Sequence, residues 1–129
     1  MRAGDTFRLN EPTIRKKHVW VIISGPLLDT ADPVVIVNLT THRPGKTNPT
    51  CVLGPEDHPL IRHPTAVRYE DAVSVPNAGL ESSANRGELV LQGQLRPDVL
   101  DRIRQGAAQL SSRLPEEARE ILRKQGLIE

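Results

Sequence analysis

Apolar and polar positions follow a strand-like rhythm through most of the chain and change to a helical one near its end. From Gly4 to Leu9, Phe7 and Leu9 fall on one face, as in a short strand. His18 to Ser24 is β-branched and almost wholly apolar, the pattern of a strand buried on both faces. Gly25-Pro26 stops it, and Asp29 to Pro33 continue the connection. Val34 to Thr41 is a second such strand, with Val35, Val37 and Leu39 on one face and Val34, Ile36, Asn38 and Thr40 on the other. Too few residues separate the two for a helical crossover, so they are expected to pair antiparallel. Thr50 to Leu53 reads as a brief edge strand. The Gly54 to Pro64 segment holds three prolines, which suit neither a central strand nor a helix. Thr65 to Tyr69 alternates as a half-exposed strand that Asp71 to Val75 extend. Pro76 to Gly87 reads as a flexible loop, and Glu88 to Leu91 with Gln94-Leu95 as the last strand.

From Pro97 the apolar positions are Val99, Ile103, Ala107, Leu110 and Leu114, which is helical spacing. Asp98 suits the start of that helix, whereas Gly106 inside it costs about 1 kcal/mol relative to alanine. Pro115-Glu116-Glu117 opens a second helix, Ala118, Ile121 and Leu122 give it an apolar stripe, and Gly126 fits its C-terminal cap. Strands first and helices last predict an α+β chain or a small barrel with helices packed on it. The 129 residues fit one domain, with a barrel over about 1–95 and helices over about 97–126.

Composition narrows the setting. The longest apolar run, Val19 to Ile23, is far below the roughly 20 residues of a membrane span. The first residues lack a signal-peptide pattern, and Cys51 is the only cysteine, so the expected compartment is the reducing cytoplasm, with no membrane association. A net charge of +1 supplies no global attraction for nucleic acid. Arg8, Arg15, Lys16, Lys17, Arg43, Lys46, Arg62 and Arg68 nevertheless all lie within the first 68 residues, and would form a local basic surface if their loops share one rim. Otherwise they are scattered solvated charges.

All four histidines lie between positions 18 and 63. His58-Pro59 and His63-Pro64 hold the backbone extended and can fix two imidazoles near each other. Such a pair can cleave RNA, one imidazole deprotonating the 2′-hydroxyl and the other protonating the leaving oxygen. The plainer reading is that they are ordinary polar loop residues. A metal set of Cys51, Asp57, His58 and His63 matches no strong zinc spacing, so no metal or other cofactor is expected. Gly45-Lys46-Thr47 is no phosphate-binding loop, because Thr40 stands where its leading glycine belongs and Asn48-Pro49 blocks the helix that must follow. The ends of the two central strands are a better candidate. Lys16, Lys17 and His18 enter the first, and Thr40, Thr41, His42 and Arg43 leave the second, so a hairpin would converge hydroxyls, imidazoles and cations on one rim.

Gly4-Asp5 before a first strand, Lys17-His18-Val19-Trp20-Val21-Ile22-Ile23-Ser24, and Val34 through Thr41 together resemble the MazF/PemK toxin family. Thr65-Ala66-Val67-Arg68-Tyr69, Gly93-Gln94-Leu95 and Pro97-Asp98-Val99-Leu100 extend the likeness over about the first 110 residues. The resemblance implies an SH3-like antiparallel barrel, a homodimer neutralised by an antitoxin, and metal-independent cleavage of single-stranded RNA. By position it assigns the basic role to Lys17 and the hydroxyl role to Thr40, with Thr41 beside it. Members typically carry Arg-Pro where this chain has Lys17-His18, and lysine cannot make arginine's bidentate phosphate contact. Arg15 or Arg43 would then substitute, or His18 would take over proton transfer. The histidine segment Gly54 to Pro64 has no counterpart in the active enzymes.

The function expected is therefore that of an endoribonuclease toxin leaving a cyclic phosphate. Its candidate catalytic residues are Lys17, His18, Thr40, Thr41, His58 and His63; Arg15, Lys16, His42, Arg43 and Lys46 would bind substrate. The alternative is a non-catalytic barrel module that grips a protein, as related barrel toxins grip a topoisomerase.

Overall fold

The computed structural model describes residues 1–10, 18–25 and 32–129. Among these residues, six strands form one antiparallel sheet: β1 (Asp5–Leu9), β2 (Val19–Ile22), β3 (Pro33–Thr41), β4 (Val52–Leu53), β5 (Thr65–Pro76) and β6 (Leu89–Gln94). Their spatial order is β4-β5-β3-β2-β1-β6. Three α-helices accompany them among the described residues: α1 (Asn77–Asn85), α2 (Pro97–Gln109) and α3 (Glu116–Lys124). The class is α+β, a curled antiparallel half-barrel with helices packed on it.

The two-faced pattern of the central hairpin is realised. Trp20 pairs with Asn38, Val21 with Val37 and Ile22 with Ile36. Val21, Val35, Val37 and Leu39 join Tyr69, Val99, Ile103, Leu114 and Leu122 in the larger core, under α2 and α3. Ile22, Val34 and Ile36 turn to the other face, against Phe7, Leu80 and Leu89. A one-residue slip of β3 would exchange these two sets, so apolar contact on both faces fixes the register.

The pairing of β3 with β5 breaks between Ile36 opposite Val73 and Asn38 opposite Arg68. One β3 residue there faces four on β5, a bulge that bends the strand and curls the sheet. Thr65 to Tyr69 is more deeply set than the expected half-exposed strand. Ala66, Val67 and Tyr69 are buried, because β4 and β3 flank this stretch and the helices cover it. The segment Pro76 to Gly87, expected as a flexible loop, is instead mostly helix: α1 seats Leu80 in the second core and buries Asn77.

Both expected C-terminal helices form. α2 has proline and Asp98 in its first turn and buries Val99, Ile103 and Ala107. α3 carries Glu116 and Glu117 at its start and Arg123 and Lys124 at its end, the arrangement favoured by the helix dipole. Gly126 closes it at φ 71°, a left-handed position that glycine takes without penalty. Among the described residues no helix is long and apolar enough to cross a membrane.

Candidate active site

β3 is the best-anchored strand of the sheet, and its far end is where the polar groups collect. Thr40 pairs with Ala66 and Thr41 with Thr65. Successive side chains on a strand point to opposite faces, so one hydroxyl is offered on each side. Neither hydroxyl has a hydrogen-bond partner among the described residues. Two cavities flank this end, and Thr40 and Thr41 line both.

The smaller cavity is about 200 Å³ and is also lined by His18, Arg62 and His63. His18 stands immediately before β2, and its Nδ1 lies 3.0 Å from the Leu39 carbonyl oxygen. A carbonyl only accepts, so Nδ1 carries the hydrogen and Nε2 keeps its lone pair. His63 reaches this place because the backbone N–H of His42 donates to the Pro64 carbonyl at 2.9 Å, tying the two segments together. The His63 ring is exposed, and its Nδ1 donates to the Pro64 carbonyl at 3.3 Å.

The larger cavity, about 500 Å³, gathers Arg43, Lys46, Arg68 and Arg113 around the single carboxylate of Glu70. A turn at 43–47 presents the first two. Lys46 and Thr47 donate their backbone N–H groups to the Arg43 carbonyl, each at 2.9 Å, and Gly45 takes φ 79°. The Thr47 hydroxyl accepts the Arg43 N–H at 2.9 Å and lies 2.7 Å from His42 Nδ1. Arg68 is held by Glu70 at 3.3 Å and Asp71 at 3.1 Å. Arg43, Lys46 and Arg113 have no carboxylate partner among the described residues. Their charge is uncompensated, which suits an anionic ligand.

The proposed pairing of His58 with His63 does not form. His58 is buried, its Nδ1 accepts the Leu60 N–H at 3.1 Å, and its Nε2 faces Thr6 Oγ1 at 3.5 Å. Burial pushes its pKa below the ordinary 6.5. His58 therefore acts in packing the turn onto β1 and β6, while His63 stays exposed at the smaller cavity. The metal set does not converge either. Asp57 is buried against Arg102 at 2.8 Å and accepts the Gly54 N–H at 2.8 Å, and Cys51 lies in the core with its thiol pKa raised by burial. No group of three or more His, Cys, Asp or Glu side chains among the described residues could hold a metal ion.

Of the remaining residues singled out in the sequence, His18, Thr40, Thr41, His42, Arg43 and Lys46 are gathered at this end of the sheet. Arg15, Lys16 and Lys17 lie outside the described residues. Arg113 was missed by sequence reasoning. It follows α2 in a short 3₁₀ turn (Ser111–Arg113), far in sequence from the basic residues singled out above. Its only signal is a cation next to Leu114, the last residue of the helical apolar series. No protein-family model matches the chain, and no curated protein matches it.

Proposed function

We propose that the chain is the toxin of a toxin–antitoxin pair, an SH3-like barrel acting in the cytoplasm as a metal-independent endoribonuclease on single-stranded RNA. The observation that carries this reading is the meeting of two cavities at Thr40 and Thr41, one lined by imidazoles and the other by uncompensated cations. A ribose-phosphate backbone laid across the strand end would set successive phosphates against Arg43, Lys46 and Arg113. The threonine hydroxyls would donate to the scissile phosphate, whose oxygens gain negative charge in the transition state. Lys17, which the family resemblance puts in the basic role, precedes His18 in the chain and would add a further cation. The near absence of exposed aromatic residues favours grip by charge over grip by base stacking.

The edge strand β6 supports the expected homodimer or antitoxin contact. Among the described residues it pairs only with β1, and it leaves Val90 42 % and Leu91 53 % exposed. An unpaired edge with apolar side chains is a template for another strand.

The test is incubation of the purified protein with a mixed RNA pool, with and without chelator, followed by analysis of fragment ends. Chelator-resistant cleavage to 2′,3′-cyclic phosphate and 5′-hydroxyl termini, lost in Thr40→Ala or Lys17→Ala, is the expected result. A folded, antitoxin-free protein that leaves all RNA intact would instead favour the protein-binding module.

A further inference from the structure

Of the four histidines, only two share a cavity with the unpartnered threonine hydroxyls. His58 is buried with both ring nitrogens facing protein groups. His42 is engaged at Nδ1 by Thr47 and opens onto a different cavity with Lys46 and Arg113. His18 and His63 remain, on opposite strands of chain, facing about 200 Å³ of space together with Arg62. That space equals about seven waters, enough for a phosphodiester and part of its ribose.

Resting on the nuclease reading above, we propose that His18 and His63 are the acid–base pair of the RNA-cleaving site, with Arg62 holding the phosphate between them.

Hydrogen bonding assigns the roles. His18 spends Nδ1–H on the Leu39 carbonyl, so Nε2 is the one lone pair that the half-buried ring can offer. It takes the proton of the 2′-hydroxyl as that oxygen attacks phosphorus. His63 is anchored through Nδ1 on its own following carbonyl, leaving Nε2 directed away from that bond and exposed to water, from which it can be protonated. It gives the Nε2 proton to the departing 5′-oxygen as the phosphorus–oxygen bond breaks. The products are a 2′,3′-cyclic phosphate and a 5′-hydroxyl. His18 is left protonated and His63 neutral, and exchange with water restores both. Arg62 is the one cation that this cavity presents among the described residues, and its charge opposes the negative charge developing on the phosphate oxygens. The pairing accommodates the departure at Lys17-His18, because proton transfer no longer depends on the arginine that the family resemblance expects.

The experiment first locates a cut in the RNA pool, then synthesises that strand with sulfur replacing the bridging 5′-oxygen at the cut bond. A thiolate leaves without a proton, so the sulfur substrate needs the base and not the acid. His63→Ala should slow cleavage of ordinary RNA by about 10²–10⁴-fold and return to near the wild-type rate on the sulfur substrate. His18→Ala should be slow on both. His18→Asn, whose amide can still donate toward the Leu39 carbonyl, should be equally slow while melting like the wild type. The wild-type rate should follow a bell-shaped pH dependence that loses one limb in each variant. Wild-type cleavage that survives both histidine changes, or a His63→Ala variant that sulfur does not rescue, would overturn the pairing and leave the nuclease reading standing. A wild-type protein inert on every substrate would remove both.

Discussion

Gly106 provides the sharpest test of how the helices are docked. In an ordinary helix interior, glycine to alanine stabilises by about 1 kcal/mol. Here the Tyr69 hydroxyl passes the helix at that residue to donate to the Ile103 carbonyl at 2.7 Å. A methyl group on Gly106 would fall on that hydroxyl and stand 2.8 Å from Tyr69 Cζ. The ring is 1 % exposed and fully packed, so it can yield only by giving up the hydrogen bond. Losing a buried hydroxyl's partner costs about 1–3 kcal/mol, and the overpacking adds about 1–3 kcal/mol. Against the propensity gain of about 1 kcal/mol, Gly106→Ala should therefore lose about 1–5 kcal/mol. For a domain of this size each kcal/mol moves Tm by about 4 °C, so a drop of about 10 °C is expected by calorimetry. In a Tyr69→Phe background, where the hydroxyl is already gone, the same change should cost at least about 1 kcal/mol less. A Gly106→Ala protein as stable as the wild type, or two changes that simply add, would refute this account of the contact.

Three further outcomes are expected. His58 is held below its ordinary pKa of 6.5 by burial, so the unfolded chain binds the extra proton first; its contribution to stability is complete above pH 6.5 and is lost as the pH falls through that value toward the folded pKa. The loss of Tm between pH 7.5 and 5 should accordingly be smaller in His58→Asn than in the wild type. Asp57→Asn weakens the bonds joining the 54–57 turn to Arg102 at the exposed flank of α2, and should cost about 1–3 kcal/mol in a urea melt. Arg113→Ala should change stability by no more than about 0.5 kcal/mol, and should lower the salt dependence of RNA binding, measured by fluorescence anisotropy, by about 0.7 in the log–log slope, the value of one phosphate contact on a single strand.

What could be read from the sequence depended on how many side chains of an element meet the core. β3 presents apolar residues to both faces along most of its length, and α2 repeats them at helical spacing, so both stand out. In α1 the buried residues are Leu80 and Asn77, spread among Gly79, Ser82, Ser83 and Asn85. One leucine sets no period, and the helix owes its place to the sheet it covers. The convergence of His18 with Thr40 and Thr41 followed from hairpin geometry alone. That His63 rather than His58 joins them could not be read, because both precede proline and only the fold decides which ring is buried and which stays at the rim. Gly106 looked like a mild helix defect until the tyrosine 37 residues earlier in the chain was placed against it.

The same tyrosine also bears on the cationic cavity, most of whose cations stand on turns. Tyr69 lies between Arg68 and Glu70, which line one wall. Its hydroxyl is bonded to α2, which is also tied to the sheet by the Arg104 Nε bond to the Ile23 carbonyl at 2.8 Å and the Arg102 bond to the Val52 carbonyl at 3.0 Å. A few residues after α2, the 3₁₀ turn brings Arg113 to the same cavity, and Leu114 next to it is buried in the larger core. The buried hydroxyl is thus one of the bonds that hold α2, and Arg113 after it, near Arg68, although 45 residues of chain separate the two arginines. An exposed arginine on its own gains little from a single phosphate, because ordering a long side chain costs entropy that the screened charge barely offsets. Cations held at a set distance around one anion lose less on binding, since the scaffold has already met the cost of placing their backbones. The docking of α2 is in this sense part of the site, and its strength is what allows loop-borne charges to act together.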